Sequence, residues 1–451
     1  MNDSFLLNGK TAKLLYEDHA KALPIVDYHN HISAADVQTN KKFENLTELW
    51  LAPDPYKHRL MRISGIPEQY ITGDASPREK FRKFASVFPY LVGNPVYDWS
   101  LMELATVFGL DEIPSSENAD RIYDTVTEML GSEEYRCQAI LSRFGIQYQS
   151  PVAGILDDLS PYSRKGFAPS LRGDNLLSPT KELIADLACG DNGSTTLDGY
   201  LAAIAKRLDQ FSAAGCKFAD HALDDGFAFL PDDGANDARL ARLLAGEALP
   251  LQDSTALKSA ILARLGAEYA KRNYTLLLHL DAKRKTSSRL ARLAGPAGGY
   301  AAVGGSLRVS HVVDLLSAME DLGGLPKTVL FPLDMKDHAA ISVLEGSFSE
   351  DHVAAKVELG PAWWWCDHRH GMVNTFECIS SFGVLSEFIG MTTDSRSILS
   401  FVRHDYFRRV LCSWLGEKYD GGIFQTDVRT LGEIVEKISF KNALRRIGEN
   451  K

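Results

Sequence analysis

The stretch Pro24-Ile-Val-Asp-Tyr-His-Asn-His-Ile32 is a short apolar run that ends in two histidines one residue apart. On a strand, alternate side chains share a face, so His29 and His31 point together while Tyr28 and Asn30 point away. Two imidazoles gathered in this way can form half of the ligand shell of a divalent cation, and zinc favours such ligands. A His-x-His match alone does not distinguish this site from two ordinary polar residues at a strand end.

The composition of the chain limits the number of domains and the kinds of binding partner that can be expected. With 451 residues, 49 Lys plus Arg and 59 Asp plus Glu, the net charge is −10. The length predicts one large domain with an insertion, or two domains. The charge argues against nucleic-acid and acidic-membrane surfaces, because both partners need a clustered positive face. An anionic small-molecule substrate remains compatible, since a few local arginines decide its binding.

The cysteines are scattered, without a Cys-x-x-Cys pair, and they lie at positions 137, 189, 216, 366, 378 and 412. This pattern is typical of a reducing compartment with buried or free thiols. No signal segment opens the chain, and no apolar run reaches membrane-spanning length. We therefore expect a cytoplasmic protein.

Hydrophobic spacing divides the chain into three segments: 1–35 with the first strand, 36–143, and 144–451. The middle segment is predicted to be helical, and Ser76-Pro-Arg-Glu79 is a capping box at the start of one helix. The last segment alternates short apolar runs with amphipathic helices. Its predicted strands are Ile146–Pro151, Gly166–Leu171, Cys216–Ala219, Thr275–Leu280, Thr328–Leu333, Ala354–Leu359 and Phe388–Thr392.

With the opening strand these make eight, which predicts a distorted (β/α)8 barrel with a helical insertion after the first strand. Active sites of such barrels lie at the carboxyl ends of the strands. The polar residues found at these predicted ends are His29, His31, Arg172, Asp220, His221, His279, Asp394 and Arg396.

First and eighth strands are neighbours in a closed barrel, so Asp394 can complete a metal site with His29 and His31. The alternative is that Asp394 caps a helix that begins near Ser397. His279 is either a catalytic group or a satisfied core histidine.

Arginines at strand ends can grip a carboxylate with two hydrogen bonds, which makes Arg172 and Arg396 candidate anion-binding residues. The alternative for each is a surface salt bridge. Trp363-Trp364-Trp365 either lines a sugar pocket or belongs to the core or a subunit interface. The run Gly295–Ser306 lacks a phosphate-loop ending, so we expect a flexible surface loop there.

Several motifs together resemble the uronate (glucuronate) isomerase family of the amidohydrolase superfamily. They occur in order along nearly the whole chain, as Asp27-Tyr-His-Asn-His31, Tyr70-Ile-Thr-Gly-Asp-Ala75, Gly93-Asn-Pro-Val-Tyr97, Gly390-Met-Thr-Thr-Asp-Ser-Arg396, Arg403-His404, Tyr406-Phe-Arg-Arg409 and Leu431-Gly-Glu-Ile-Val435. The resemblance implies interconversion of an aldose uronate, such as glucuronate or galacturonate, with the corresponding ketose. It also implies a bound divalent metal, with zinc expected and manganese as an alternative.

By this resemblance each site residue takes a role. Metal ligands are His29, His31 and Asp394; catalytic residues are Asp394, His279 and Tyr56; substrate-binding residues are Arg172, Arg396, His58 and Trp364. The implied reaction moves a proton between C2 and C1 and stabilises an enediolate charge.

This chain departs from the family pattern in the insertion. Members typically read Asp-His-Tyr-Lys-Trp-Arg where this chain has Asp54-Pro-Tyr-Lys-His-Arg59, so Pro55 replaces a histidine, and His58 is the expected substitute. Where His-Trp-Thr-His is usual, Asp98 and Leu101 replace both histidines. A proline side chain can neither donate nor accept a proton.

Two alternatives to the isomerase remain open: a metal-dependent hydrolase of a sugar-acid lactone or amide, and a catalytically impaired sugar-acid-binding relative. The expected partners are a small-molecule sugar acid and further copies of the chain in a homo-oligomer.

Overall fold

Seven parallel strands form one curled sheet at the centre of the protein. A computed structural model describes residues 4–187 and 195–448, so Cys189 lies outside the described residues. The strands are β1 (Ile25–Asn30), β2 (Ile146–Gly154), β3 (Ser170–Arg172), β4 (Phe218–Leu223), β5 (Thr275–Leu280), β6 (Ala282–Lys283), β7 (Ala302–Val303), β8 (Lys327–Pro332) and β9 (Val357–Leu359). The sheet order is β1-β2-β3-β4-β5-β8-β9, while β6 and β7 form a separate antiparallel pair.

Helices cover the outer face of this sheet and fill the segment between β1 and β2. Their bounds are α1 (Gly9–Leu15), α2 (Ala34–Gln38), α3 (Pro55–Ile63), α4 (Pro77–Val87), α5 (Pro95–Phe108), α6 (Ala119–Met129), α7 (Cys137–Ser142), α8 (Lys181–Leu187), α9 (Leu197–Ala213), α10 (Asn236–Leu244), α11 (Leu251–Lys271), α12 (Ser288–Ala294), α13 (Val309–Asp321), α14 (His338–Ser342), α15 (Leu344–Ser347), α16 (Arg369–Phe382), α17 (Val402–Asp420), α18 (Val428–Glu436) and α19 (Asn442–Arg446). Within the described ranges, none of these helices is long and apolar enough to cross a membrane.

The predicted eighth strand is the one place where the ladder is not formed. Residues 388–392 are assigned to no strand in the described chain, although they lie between β9 and β1. The Asp394 N–H donates to the His29 carbonyl at 3.0 Å, and the Ile389 N–H donates to the Glu358 carboxylate of β9 at 2.8 Å. Because a side chain takes the place of a backbone carbonyl, this segment closes the barrel without a regular ladder. The barrel class is therefore confirmed, and the prediction of eight ladder strands is wrong.

One helix of the insertion begins where the sequence predicts. Ser76 caps α4, with the reciprocal hydrogen bonds of a capping box to Glu79, and Pro77 occupies the first helical position. The division into segments 1–35, 36–143 and 144–451 stays a prediction.

Candidate active site

Three ligand-type side chains converge where β1 ends. The Nε2 atoms of His29 and His31 lie 3.4 and 3.0 Å from Asp394 Oδ1. The Asp394 backbone is left-handed, with φ of +47°, which turns its carboxylate toward β1. No helix begins near Ser397, since α17 starts at Val402. The helix-cap interpretation of Asp394 is therefore wrong.

The chemistry of these groups fits a divalent cation. His29 is fully buried, and neither of its ring nitrogens has a hydrogen-bond partner in the described chain. Two imidazole nitrogens and one carboxylate oxygen form an open donor set of the kind that zinc accepts. Burial would raise the pKa of Asp394, but the adjacent His29 and His31 hold that pKa well below its usual range. Asp394 is thus a carboxylate at neutral pH.

His279 and Asp220 lie behind His29, on β5 and β4. The His279 ring is centred 4.9 Å from His29 and packs against Phe331 and Trp363, at 4.8 Å from each. Burial, reinforced by the charge of His29, holds the pKa of His279 well below its usual value. The His279 ring is therefore neutral at physiological pH.

The two predicted anion-binding arginines differ in what surrounds them. Arg172 ion-pairs with Asp174 at 2.8 Å and with Asp220 at 3.2 Å, so two carboxylates offset its charge. Arg396 is exposed and has no ion-pair partner among the described residues. Both line a cavity of about 950 Å³ that also reaches His29 and Asp394.

Trp364 lines this cavity, and Tyr56 lies in a neighbouring cleft that Trp364 also lines. The Tyr56 ring packs at 5.9 Å against Trp365, and its buried hydroxyl has no hydrogen-bond partner in the described chain. Trp364 lines the cavity, and its Nε1–H donates to Asp394 Oδ2 at 2.8 Å. The structure thus places Trp364 in the site and not in the core.

His58 does not take the place of the histidine that Pro55 replaces. Pro55 and Tyr56 line a cleft beside the cavity, whereas His58 lines neither the cavity nor the cleft. His58 is buried inside the insertion, and this burial lowers its pKa to about 4. Asp98 also lies away from the cavity lining, and burial raises its pKa to about 6.

Sequence reasoning did not predict that the segment after β5 forms a wall of the cavity. Residues 282–303, which run from β6 through α12 to β7, are called the cover segment below. It contributes Arg284, Lys285 and Tyr300 to the lining. Their signal in the sequence is a basic pair a few residues after β5, at the carboxyl end of a barrel strand.

The glycine-rich run is docked on the insertion, so the expectation of a flexible surface loop is wrong. Gly299 has a φ of +81°, and a Cβ there would lie 2.3 Å from the Pro55 carbonyl oxygen. Arg59 donates to the carbonyls of Gly299 and Ala301 at 3.4 and 3.3 Å, and Arg62 donates to that of Gly298. Only glycine permits this close approach.

Comparison with known proteins places the chain in a family. A family model described as glucuronate isomerase matches residues 1–446. The chain belongs to the glucuronate isomerase family. Among its relatives, the uronate isomerase of Oceanobacillus iheyensis is 36% identical, covering 99% of this chain and 97% of the relative. That of Caldanaerobacter subterraneus is 34% identical, covering 99% of both.

Solved structures of the glucuronate isomerase family have the same architecture. The uronate isomerase of Thermotoga maritima superposes with a TM-score of 0.91 at 28% identity, over 99% of each chain. The glucuronate isomerase of Caulobacter crescentus, at 23% identity, shares the fold with a TM-score of 0.90 over 100% of this chain and 97% of that one. The predicted family and barrel are thereby confirmed.

Proposed function

We propose that this protein is an aldose–ketose isomerase that interconverts a uronate, of the glucuronate or galacturonate type, with its ketose. The observation that carries the proposal is the cavity itself. At one end it presents His29, His31 and Asp394 as a metal-ligand set, and Arg396 and Lys285 add positive charge for an anionic substrate. Membership of the glucuronate isomerase family supports this reaction over hydrolysis of a lactone or amide.

The metal-ligand set defines the reacting end of the cavity. When bound by His29, His31 and Asp394, a divalent cation supplies Lewis acidity and electrostatic stabilisation at the substrate oxygens. Zinc is the proposed ion, because two imidazoles and a carboxylate are its preferred ligands. Trp364 fixes the orientation of Asp394 through its N–H.

The other residues act on protons and charge. The neutral His279 ring is the proposed carrier of the proton that moves between C2 and C1. Arg396, two residues after Asp394, stabilises the negative charge that develops on the enediolate oxygens. Tyr56 is the proposed ligand of a substrate oxygen from the insertion side, and its buried hydroxyl without a hydrogen-bond partner among the described residues supports this role.

We also propose where the protein is located and how it assembles. The five cysteines in the described part of the chain are all free, which supports a cytoplasmic location. We also expect a homo-oligomer, whose subunit number can be measured by light scattering.

The proposal is tested by following the C2 proton by NMR in deuterated water with glucuronate and galacturonate. The zinc-loaded protein should exchange that proton and form ketose, and Asp394→Asn should lower the rate by about 10³-fold or more. Asp124→Asn, at an exposed ion pair with Arg78, is the control and should keep full activity. If the loaded protein forms no ketose and exchanges no proton with either uronate, it is not an isomerase of these sugars.

A further inference from the structure

The cover segment is a fixed wall of the active-site cavity. Asp281, just before the segment, accepts hydrogen bonds through its carboxylate from the backbone N–H groups of Gly305 and Ser306, just after the segment, at 2.5 and 3.1 Å, which ties the two ends of the segment together. At its outer edge, Arg59 and Arg62 of α3 donate to carbonyls of the glycine-rich run. A wall held at both edges presents its side chains to a substrate in a defined place.

The positively charged side chains that line the cavity are not equivalent, because neighbouring carboxylates offset the charge of some of them. Arg172 is paired with two carboxylates. Arg284, on the cover segment, pairs with both oxygens of Asp224, at 2.9 and 3.0 Å. Among the described residues, Lys285 and Arg396 are the cavity-lining cations that have no ion-pair partner.

Lys285 and Arg396 belong to different walls of the cavity. Arg396 follows Asp394 by two residues and belongs to the metal-ligand end, whereas Lys285 lies on the cover segment. An open-chain uronate also has two ends, the C1 carbonyl and a carboxylate. The net charge of −10 repels an anion from the protein as a whole, so binding of that carboxylate needs a local unpaired cation.

We propose that Lys285 binds the substrate carboxylate and is the residue that selects sugar acids over neutral sugars. This inference rests on the proposed function for the orientation of the substrate, with C1 at the metal-ligand end. It replaces the sequence-based expectation that Arg172 or Arg396 holds the carboxylate, because the charge of Arg172 is offset by two carboxylates and Arg396 belongs to the metal-ligand end. Lys285 is exposed at the cavity mouth, so its ammonium can meet an incoming anion before the sugar reaches the ligands.

Binding without turnover gives the first test. Gluconate carries the carboxylate but has no carbonyl to isomerise, and glucitol is its neutral counterpart. For the zinc-loaded protein, Lys285→Gln should weaken gluconate binding in calorimetry by about tenfold, without changing glucitol binding. Lys285→Arg should retain most of the affinity.

Lys283→Gln is the matched control. Lys283 lies on the same segment two residues away, but it pairs with Asp225 and does not line the cavity. Its substitution should leave gluconate affinity within about twofold of wild type, since a surface pair contributes little. Equal effects of Lys283→Gln and Lys285→Gln, or no gluconate binding by the wild type, would overturn the inference.

Kinetics separate this inference from the proposed function. With a uronate that turns over, Lys285→Gln should raise KM by about tenfold and change kcat by less than about threefold, because the carboxylate lies far from C1 and C2. If the protein turns over a uronate and KM does not change in Lys285→Gln, the role of Lys285 is refuted and the isomerase proposal stands. Lys285-dependent gluconate binding without turnover of any uronate would refute the isomerase and retain the anion site.

Discussion

The hydrogen bond from Trp364 Nε1–H to Asp394 Oδ2 leaves the other carboxylate oxygen turned toward His29 and His31. Partners of this kind fix the orientation of a metal ligand, and their removal typically lowers metal affinity 10–100-fold. The sequence shows three adjacent tryptophans and cannot tell which of them donates to Asp394. The backbone at Trp364, with a φ of +47°, decides it.

We predict that Trp364→Phe weakens zinc binding by about 10–100-fold, measured by competition with a chelator. Trp414→Phe is the matched control, because Trp414 Nε1–H also donates to a carboxylate, that of Glu377, at 2.9 Å on the outer helices. Its zinc affinity should equal that of wild type. Equal affinities of all three proteins would show that the indole N–H does not orient Asp394.

At the scale of the element, α3 carries Tyr56 to the cleft beside the cavity, and a buried ionic cluster fixes the first turn of this helix. Asp54 caps the helix and pairs with Lys57 Nζ at 2.6 Å, and Lys57 also pairs with Glu103 of α5 at 3.1 Å. The Lys57 side chain is 1% exposed. Glu103 also accepts a hydrogen bond from the Trp50 indole, so the cluster ties three parts of the insertion together.

We predict that Lys57→Met lowers the free energy of unfolding by about 3–5 kcal/mol, because two buried carboxylates lose their counter-charge. Adding Glu103→Gln should recover part of this loss. Lys21→Met, at an exposed pair with Glu17, is the control and should cost less than about 1 kcal/mol in the same urea titration. A loss no larger than that of the control would mean that the cluster does not stabilise the insertion.

For the whole molecule, a buried carboxyl group near the closure of the sheet gives the free energy of unfolding a dependence on pH. Near the barrel seam, Glu345 Oε1 accepts a hydrogen bond from the Leu359 N–H of β9 at 3.4 Å. Burial, together with the charge of Glu358, raises the pKa of Glu345 to about 7. A raised carboxyl pKa means that the folded state holds this proton more tightly than the unfolded chain does. Its contribution is therefore fully present below pH 4.5 and is lost as the pH rises to about 7.

We predict that Glu345→Gln stabilises the protein by about 1–3 kcal/mol at pH 8 and changes stability little at pH 4.5. The comparison cancels the general repulsion among acidic groups, because both proteins carry nearly the same remaining charge. Urea unfolding at the two pH values measures the effect. A difference that is the same at both pH values would show that Glu345 does not titrate in this range.

The sequence predicted the barrel because buried parallel strands read as apolar runs with polar residues at their carboxyl ends. β5, Thr275–Leu280, matches its predicted bounds and is wholly buried. The same reasoning found His29, His31, His279 and Asp394, since each of these residues lies at or just past a predicted strand end. It failed for the eighth position, where side-chain hydrogen bonds replace the ladder and leave no strand pattern in the sequence.

The chain by itself therefore determined the barrel and the order of the polar residues along it, because apolar periodicity and strand ends are local properties. Only the tertiary structure decided which charges stay unpaired and which segments meet across the cavity. Arg172 is offset by Asp220 and Asp174, and Lys285 is not. Pairing depends on distances between residues far apart in sequence, which packing sets and composition does not.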